Sequence, residues 1–411
     1  MSFLHQTSWA EVEPFGHDDF GFRGSFRFDY FSSSKMLDKE SNLFGLTTQV
    51  EILPKISESI DGKAEVWVMN PKIGRNSDGT ISIQEVYVTE HFSVADFRIG
   101  KQIVVWGRAD AVNPTDNLTS RNYTILLPFD EDQRTGTNSL KLDYFLTPEY
   151  TFTIFSTPFF KPSKIPIAIP PDTVLQEHLP SPSLSNNEVG LKINKSGEGN
   201  DWSLSYFHGF NLIPEIRLIE ESSTGTVLQL NYPQIDVFGS DIAQNYGRFG
   251  LRAEAAYFIP KNYEDQIPTS MHPYLYYVAG VDRSFFENLN INLQIVGRYV
   301  SNFQNPQSVN DPVQRSVATA NAIFFGQQYR NSYGFTFRIH DNWGNNTLEA
   351  ECVVVAYLNP YNSYIRPLVT YSFTDQIKGS IGGEIYSGPK ESYFGGLKDN
   401  QGNFIEMRYN F

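Results

Sequence analysis

Charged side chains recur at alternate positions along short stretches of this chain. Arg23, Arg27 and Asp29 share one parity between Phe22 and Tyr30, and Asp96 is followed two residues on by Arg98. Arg252 precedes Glu254, Glu349 precedes Glu351 and Glu406 precedes Arg408, each at the same spacing, while Arg298, Arg338 and Arg366 stand in similar surroundings. Glu51, Glu65 and Glu384 extend the pattern. A further set of acids, Asp110, Asp116, Asp130, Glu131 and Asp132, falls in a long polar stretch from 107 to 138. Guanidinium and carboxylate groups on one face can brace neighbouring strands as ion pairs, or line a wet passage and sort ions by sign. Bracing is the commoner role for a single arginine. A collective arginine wall is the sharper reading.

Other chemistries find little support. A hydrolase needs a serine, a histidine and an orienting polar group on one face; His208 and His340 qualify by parity, yet neither has a flanking serine motif. The seven histidines are scattered without ligand spacing, and the single cysteine, Cys352, allows no internal disulfide and no structural zinc site. No haem-attachment motif occurs. The sequence therefore predicts no catalytic residues, no metal and no cofactor. Against 32 basic residues stand 46 acidic ones, a formal charge of −14, which argues against nucleic acid as a partner.

The charged positions sit on strands, because successive side chains of a strand leave opposite faces. In the last stretch Ile405, Met407, Tyr409 and Phe411 point one way and Glu406, Arg408 and Asn410 the other. The same alternation runs through 22–30, 44–52, 64–68, 83–89, 95–106, 140–144, 150–157, 189–194, 202–208, 229–241, 251–258, 274–283, 291–300, 333–339, 348–356, 364–373 and 379–386. That makes about eighteen strands. The proline-rich 158–187, together with 210–227 and 301–331, read as loops. No apolar run approaches the roughly 20 residues of a membrane helix. Connections alternate between short turns and long or variable loops, as in barrels with short periplasmic turns and long external loops. The expected fold is all-β: a transmembrane antiparallel up-and-down barrel over 21–411, preceded by an irregular segment, 1–20. No signal peptide opens the chain, so it reads as a mature form with a start methionine added.

Several stretches resemble porin-like and alginate-export-like outer-membrane barrels of Gram-negative bacteria. They are Gly247-Arg-Phe-Gly-Leu-Arg-Ala-Glu-Ala-Ala-Tyr-Phe258, Gly100-Lys-Gln-Ile-Val-Val-Trp-Gly-Arg108, Val369–Asp375, Phe394–Asn400 and the terminal Arg408-Tyr-Asn-Phe411. The resemblance implies the bacterial outer membrane, contact with its lipid and lipopolysaccharide, and passive passage of small hydrophilic solutes. It carries no ligand signature. A scaffold barrel holding a periplasmic or extracellular protein partner is the alternative, an outer-membrane enzyme a weaker one, and oligomeric state stays open.

On this layout these eight arginines and Asp29, Glu254, Glu349, Glu351 and Glu406 line the lumen. Closure of the last strand on the first places Arg366, Arg408, Arg23 and Arg27 on neighbouring parts of the wall. The acidic stretch 107–138, folding in, would face them. Trp67, Trp106, Tyr87 and Phe238 are either pore aromatics or interfacial girdle residues, and the apolar Ile165–Ile169 either plugs, docks, or packs on its neighbours.

Overall fold

A computed structural model describes residues 20–33, 40–73, 79–110, 112–167, 171–222, 225–261 and 268–411. The expected irregular segment, apart from Phe20, lies outside the described residues.

The chain alternates strand and turn because its side chains alternate in polarity. Strands β1 (Phe20–Phe31), β2 (Leu43–Pro54), β3 (Ile60–Asn70), β4 (Thr80–His91), β5 (Ala95–Gln102), β6 (Thr137–Phe145) and β7 (Tyr150–Thr157) form an antiparallel meander. A short β8 (Thr173–His178) leaves it, and β9 (Glu188–Lys195) and β10 (Asn200–Phe210) resume it. After β11 (Glu215–Ser222) and β12 (Gly225–Asn231) come β13 (Gln234–Tyr246), β14 (Phe249–Pro260), β15 (Tyr274–Phe285), β16 (Leu289–Val300), β17 (Asn331–Trp343), β18 (Leu348–Asn359), β19 (Tyr361–Ser372), β20 (Ile377–Ser387) and β21 (Gly402–Asn410). All but β8, β11 and β12 belong to one 18-stranded sheet, and β21 pairs antiparallel with β1. The sheet is closed.

The polarity of the two faces decides what the barrel faces. Along the seam, Phe28 is 57% exposed and Met407 43%, whereas Arg27 is fully covered and Glu406 is 2% exposed. Charged groups are inside and greasy ones outside, the inverse of a water-soluble protein. The barrel strands have 8 to 13 residues, enough to cross hydrocarbon at a tilt. The molecule is a transmembrane barrel.

Short turns occupy one end, such as 92–94, 146–149 and 247–248, and long connections such as 103–136, 158–187 and 301–330 the other. One connection at the long end is the tightest of all: only Pro360 separates β18 from β19.

Three stretches read as loops carry structure of their own. β8, β11 and β12 make a three-stranded sheet, β12 parallel to β8 and antiparallel to β11. Helix α1 (Pro312–Phe324) packs on it. Asp311 caps that helix, accepting from the Gln314 N–H at 2.7 Å with proline at the first position. Asn321 then grips both backbone groups of Ile216, at 2.8 Å each. Two strand limits also differ from expectation: Gln229 belongs to β12, with the wall strand starting at Gln234, and β5 ends at Gln102, where the chain turns inward.

The seam is sealed at its end by Phe411, whose backbone exchanges bonds of 2.9 and 3.0 Å with Gly24. Its ring lies between Phe22 and Phe26, at 5.8 and 5.1 Å, over the bare Gly24. A Cβ at Gly24 would stand 2.5 Å from the Gln49 carbonyl and 2.6 Å from the Phe411 ring. Gly24→Val should therefore cost about 1–3 kcal/mol by overpacking. Heat-modified gel mobility would show it as an earlier unfolding temperature, with Phe411→Ala shifting the same way.

Candidate functional site

The chain enters the lumen at the end of β5. Gly100 has φ +135° and no room for a side chain, since a Cβ would meet the Val86 carbonyl at 2.3 Å. Beyond it the Ile103 N–H donates to Glu85 at 2.7 Å, and the Thr119 hydroxyl bonds both backbone groups of Val104. Val104, Trp106 and Leu118 pack with Phe155, Phe207, Val237 and Phe258 of distant strands. This first arm of the 103–136 loop is thus glued to the inner wall by apolar contact.

Its polar anchor is Glu254 on β14. That carboxylate accepts four hydrogen bonds: from the N–H groups of Arg108, Ala109 and Thr115 at 3.0, 3.2 and 2.7 Å, and from the Thr115 hydroxyl at 2.8 Å. Arg108 donates to Asp241 at 2.6 Å and Asn194 at 2.5 Å. Asp110 accepts from Arg252 at 3.1 Å and from Asn292 at 2.6 Å.

The second arm goes to the seam. Leu126 and Phe129 join Phe31, Leu43, Leu368 and Phe404, and one turn of 3-10 helix follows at Asp130–Gln133. Asp132 meets Arg27 at 2.8 Å, Asp130 lies 3.6 Å from Arg366, and Arg366 also donates to the Pro128 carbonyl. The Phe129 ring lies under Arg27 and Arg408, at 5.8 and 5.0 Å. Burial, with Asp130 and Asp132 alongside, raises the Glu131 carboxyl above its ordinary range.

Beneath that arm, strand register sets cations side by side. Arg27 is opposite Arg408, which is opposite Lys378; two residues along, on the same face, Asp29 is opposite Glu406. Like charges facing across a ladder repel. The arrangement holds because the rows are cross-linked: Arg27 reaches Glu406 at 2.6 Å, and Arg408 reaches it at 3.0 Å. Asp132 from the loop supplies a second anion to Arg27.

The expected wall is thus partly assembled. Arg27, Arg408 and Arg366 come together under the loop, but Arg23 does not join them. β21 ends opposite Ser25, and Arg23 pairs with Glu51 in a web that includes Lys63, Glu65 and Glu85. Of the loop acids, Asp130 and Asp132 meet the wall arginines and Asp110 the opposite side, while Asp116 braces Arg134 (2.5 Å) and Arg121 (3.4 Å) within the loop. Arg98 stacks on Tyr87 at 4.2 Å, Arg338 pairs with Glu351 at 2.5 Å, and His340 lies 3.8 Å from Glu349. Arg298 stacks on Tyr274 and Tyr276 and donates to the Phe325 carbonyl.

Trp67 and Trp106 are buried inside, whereas Phe238 is exposed on the outer face. His208 is also outside, 2.7 Å from Asp236 and 3.0 Å from Gln234. Ile167 packs against the small sheet; Ala168 and Ile169 lie outside the described residues. The sequence reading missed a tyrosine group above Arg366. Tyr364 and Tyr386 stack at 5.2 Å, both bond Glu384, and Phe394 from the 388–401 connection approaches them and Tyr357. Their even spacing on β19 and β20 was the available signal.

The barrel is similar to three solved structures. They are OccK1 (OpdK) of Pseudomonas aeruginosa, at TM-score 0.56, 9% identity and 96% and 98% coverage of this chain and that one; OccD3 (OpdP) of the same organism, at 0.55, 9%, 96% and 91%; and OccAB4 of Acinetobacter baumannii, at 0.54, 9%, 96% and 98%. The fold is that of an outer-membrane porin. No protein-family model and no curated protein matches the sequence.

Two consequences follow for the porin-like barrel. Arg27→Ala would strand Asp132 and leave Glu406 with Arg408 alone, costing roughly 3–5 kcal/mol as for a broken buried pair; urea unfolding in lipid vesicles, followed by tryptophan emission, should show the loss. Glu254→Ala removes the acceptor of four loop donors and should leave the barrel folded while raising single-channel conductance and current noise.

Proposed function

We propose that this barrel is a channel of the bacterial outer membrane through which small hydrophilic solutes diffuse passively, with anions favoured. The observation that carries the reading is the inward row Arg27–Arg408–Lys378 with Arg366 nearby, met by an acidic turn on a loop folded into the lumen. Cations on the wall and carboxylates on the loop set a transverse field, which orients dipolar solutes and sorts ions by sign. The inward arginines and acids named from the sequence are, on this reading, the pore lining, whether or not each also braces the wall.

Lipid and lipopolysaccharide surround the apolar outer face. The tyrosines beside Arg366 add flat surfaces on which a ring can stack while a carboxylate meets a guanidinium. One of the similar structures, OpdK, was solved with vanillate, which has both a ring and a carboxylate; a solute of that kind is our choice for this channel.

Planar-bilayer recording tests the proposal. An ohmic, open pore is expected, and in a KCl gradient Arg408→Gln with Lys378→Gln should move the reversal potential toward that of potassium. A barrel silent in bilayers that copurifies with another protein would replace the channel by a scaffold, and an unmoved reversal potential would discard the anion preference.

A further inference from the structure

Lysines gather at the outer rim of the wall formed by β4, β5 and β6, away from the lumen. The register places Lys101 between Val86 and Asn138, two residues beyond the Ile99–Leu140 pair and on the same face. Val86, Ile99 and Leu140 are exposed on the apolar outer face, so Lys101 shares that face at its loop end. Long loops mark the external side. Here the hydrocarbon belt gives way to the headgroup layer.

Lys161, four residues beyond β7, reaches the same spot. Its ammonium donates to the Gly136 carbonyl at 3.1 Å, and a Cβ on Gly136 would touch Lys101 Cγ at 3.1 Å. The two side chains flank one glycine. The Lys101 ammonium donates to the Ile83 carbonyl, and exposed Lys164 follows three residues after Lys161. Burial, with Lys101 and Lys164 adding to it, pushes the Lys161 ammonium down to about 8. Among the described residues no carboxylate pairs with any of the three. The other cations described above mostly have an acid; Lys101 and Lys161 have carbonyls only. Half-desolvated like charges cost free energy until an anion joins them.

We propose that Lys101, Lys161 and Lys164 bind a phosphate group, carried by a glycolipid of the outer leaflet. The phosphate supplies the missing negative charge and accepts from several ammonium groups at once. The lipid is favoured over a free anion because the site tops an apolar face: acyl chains lying on Val86, Ile99 and Leu140 bring their headgroup to the lysines. The inference rests on the outward face being lipid-facing and is independent of conduction, so a silent barrel would leave it standing.

Native mass spectrometry of the detergent-purified barrel with diphosphorylated lipid A, with its dephosphorylated form and with inorganic phosphate tests it. The phosphorylated glycolipid should bind, and Lys101→Gln with Lys161→Gln should weaken it about thirtyfold, as expected for two lysines at an anionic headgroup layer. Lys101→Arg with Lys161→Arg should retain binding, and unchanged gel mobility would show that each variant is folded. Equal binding by the glutamine variant, or by dephosphorylated lipid A, would overturn the site. Displacement by inorganic phosphate at matching concentration would overturn the lipid assignment and leave a free-anion site.

Discussion

A sheet that crosses hydrocarbon cannot leave an edge. Each unpaired N–H or carbonyl in lipid costs several kcal/mol, on the order of a whole packed side chain, so the pairing of β21 with β1 is the bond on which the barrel depends. Everything else follows from closing it. The ring must carry an even number of antiparallel strands when both ends of the sheet lie on one side, and side chains must sort by parity into a lipid face and a water face. Phe411 is placed by the same demand, because the seam strand β1 has a glycine that only a neighbour's ring can cover.

The sorting has a second consequence inside. Inside, groups such as Arg27, Glu254 and Glu406 are withdrawn from water, so the charges must find one another. They do so locally on the β1–β4 wall, where Lys63 meets three glutamates, and through the loop elsewhere. The 103–136 segment supplies Asp110 to Arg252 and Asp132 to Arg27. The loop neutralises charges that the wall alone leaves adjacent and alike.

Much of this is legible in the sequence because a barrel strand writes its two environments residue by residue. The inward parity of Arg27, Glu254 and Arg408 follows from alternation, and the closed up-and-down order from alternation together with the loop lengths. What alternation does not encode is where a strand stops bonding to its neighbour. Ile103–Trp106 continue the apolar pattern of β5, yet Gly100 turns them inward and Trp106 is buried over Gly190 of β9. Nor does it encode stagger: Arg23 has the parity of Arg27, but β21 is too short to reach it. The small sheet of β8, β11 and β12 was hidden for another reason. β8 pairs with β12 across a long sequence gap, and the prolines before β8 signal loop without excluding a short parallel strand after it.

The two arms of the loop differ in the force that holds them, and that difference bears on which one can move. The first is fixed by Trp106, Val104 and Leu118 in an apolar cluster and by backbone donors closed around Glu254, interactions that salt barely touches. The second also has Leu126 and Phe129 to seat it, but its acidic turn reaches Arg27 and Arg366 through Asp132 and Asp130, and Asp130 is more than half exposed. Exposed pairs weaken as ions screen them. Electrolyte in the lumen therefore acts on the second arm far more than on the first. The arm whose acidic turn meets the wall arginines is also the arm whose hold depends on what the lumen contains.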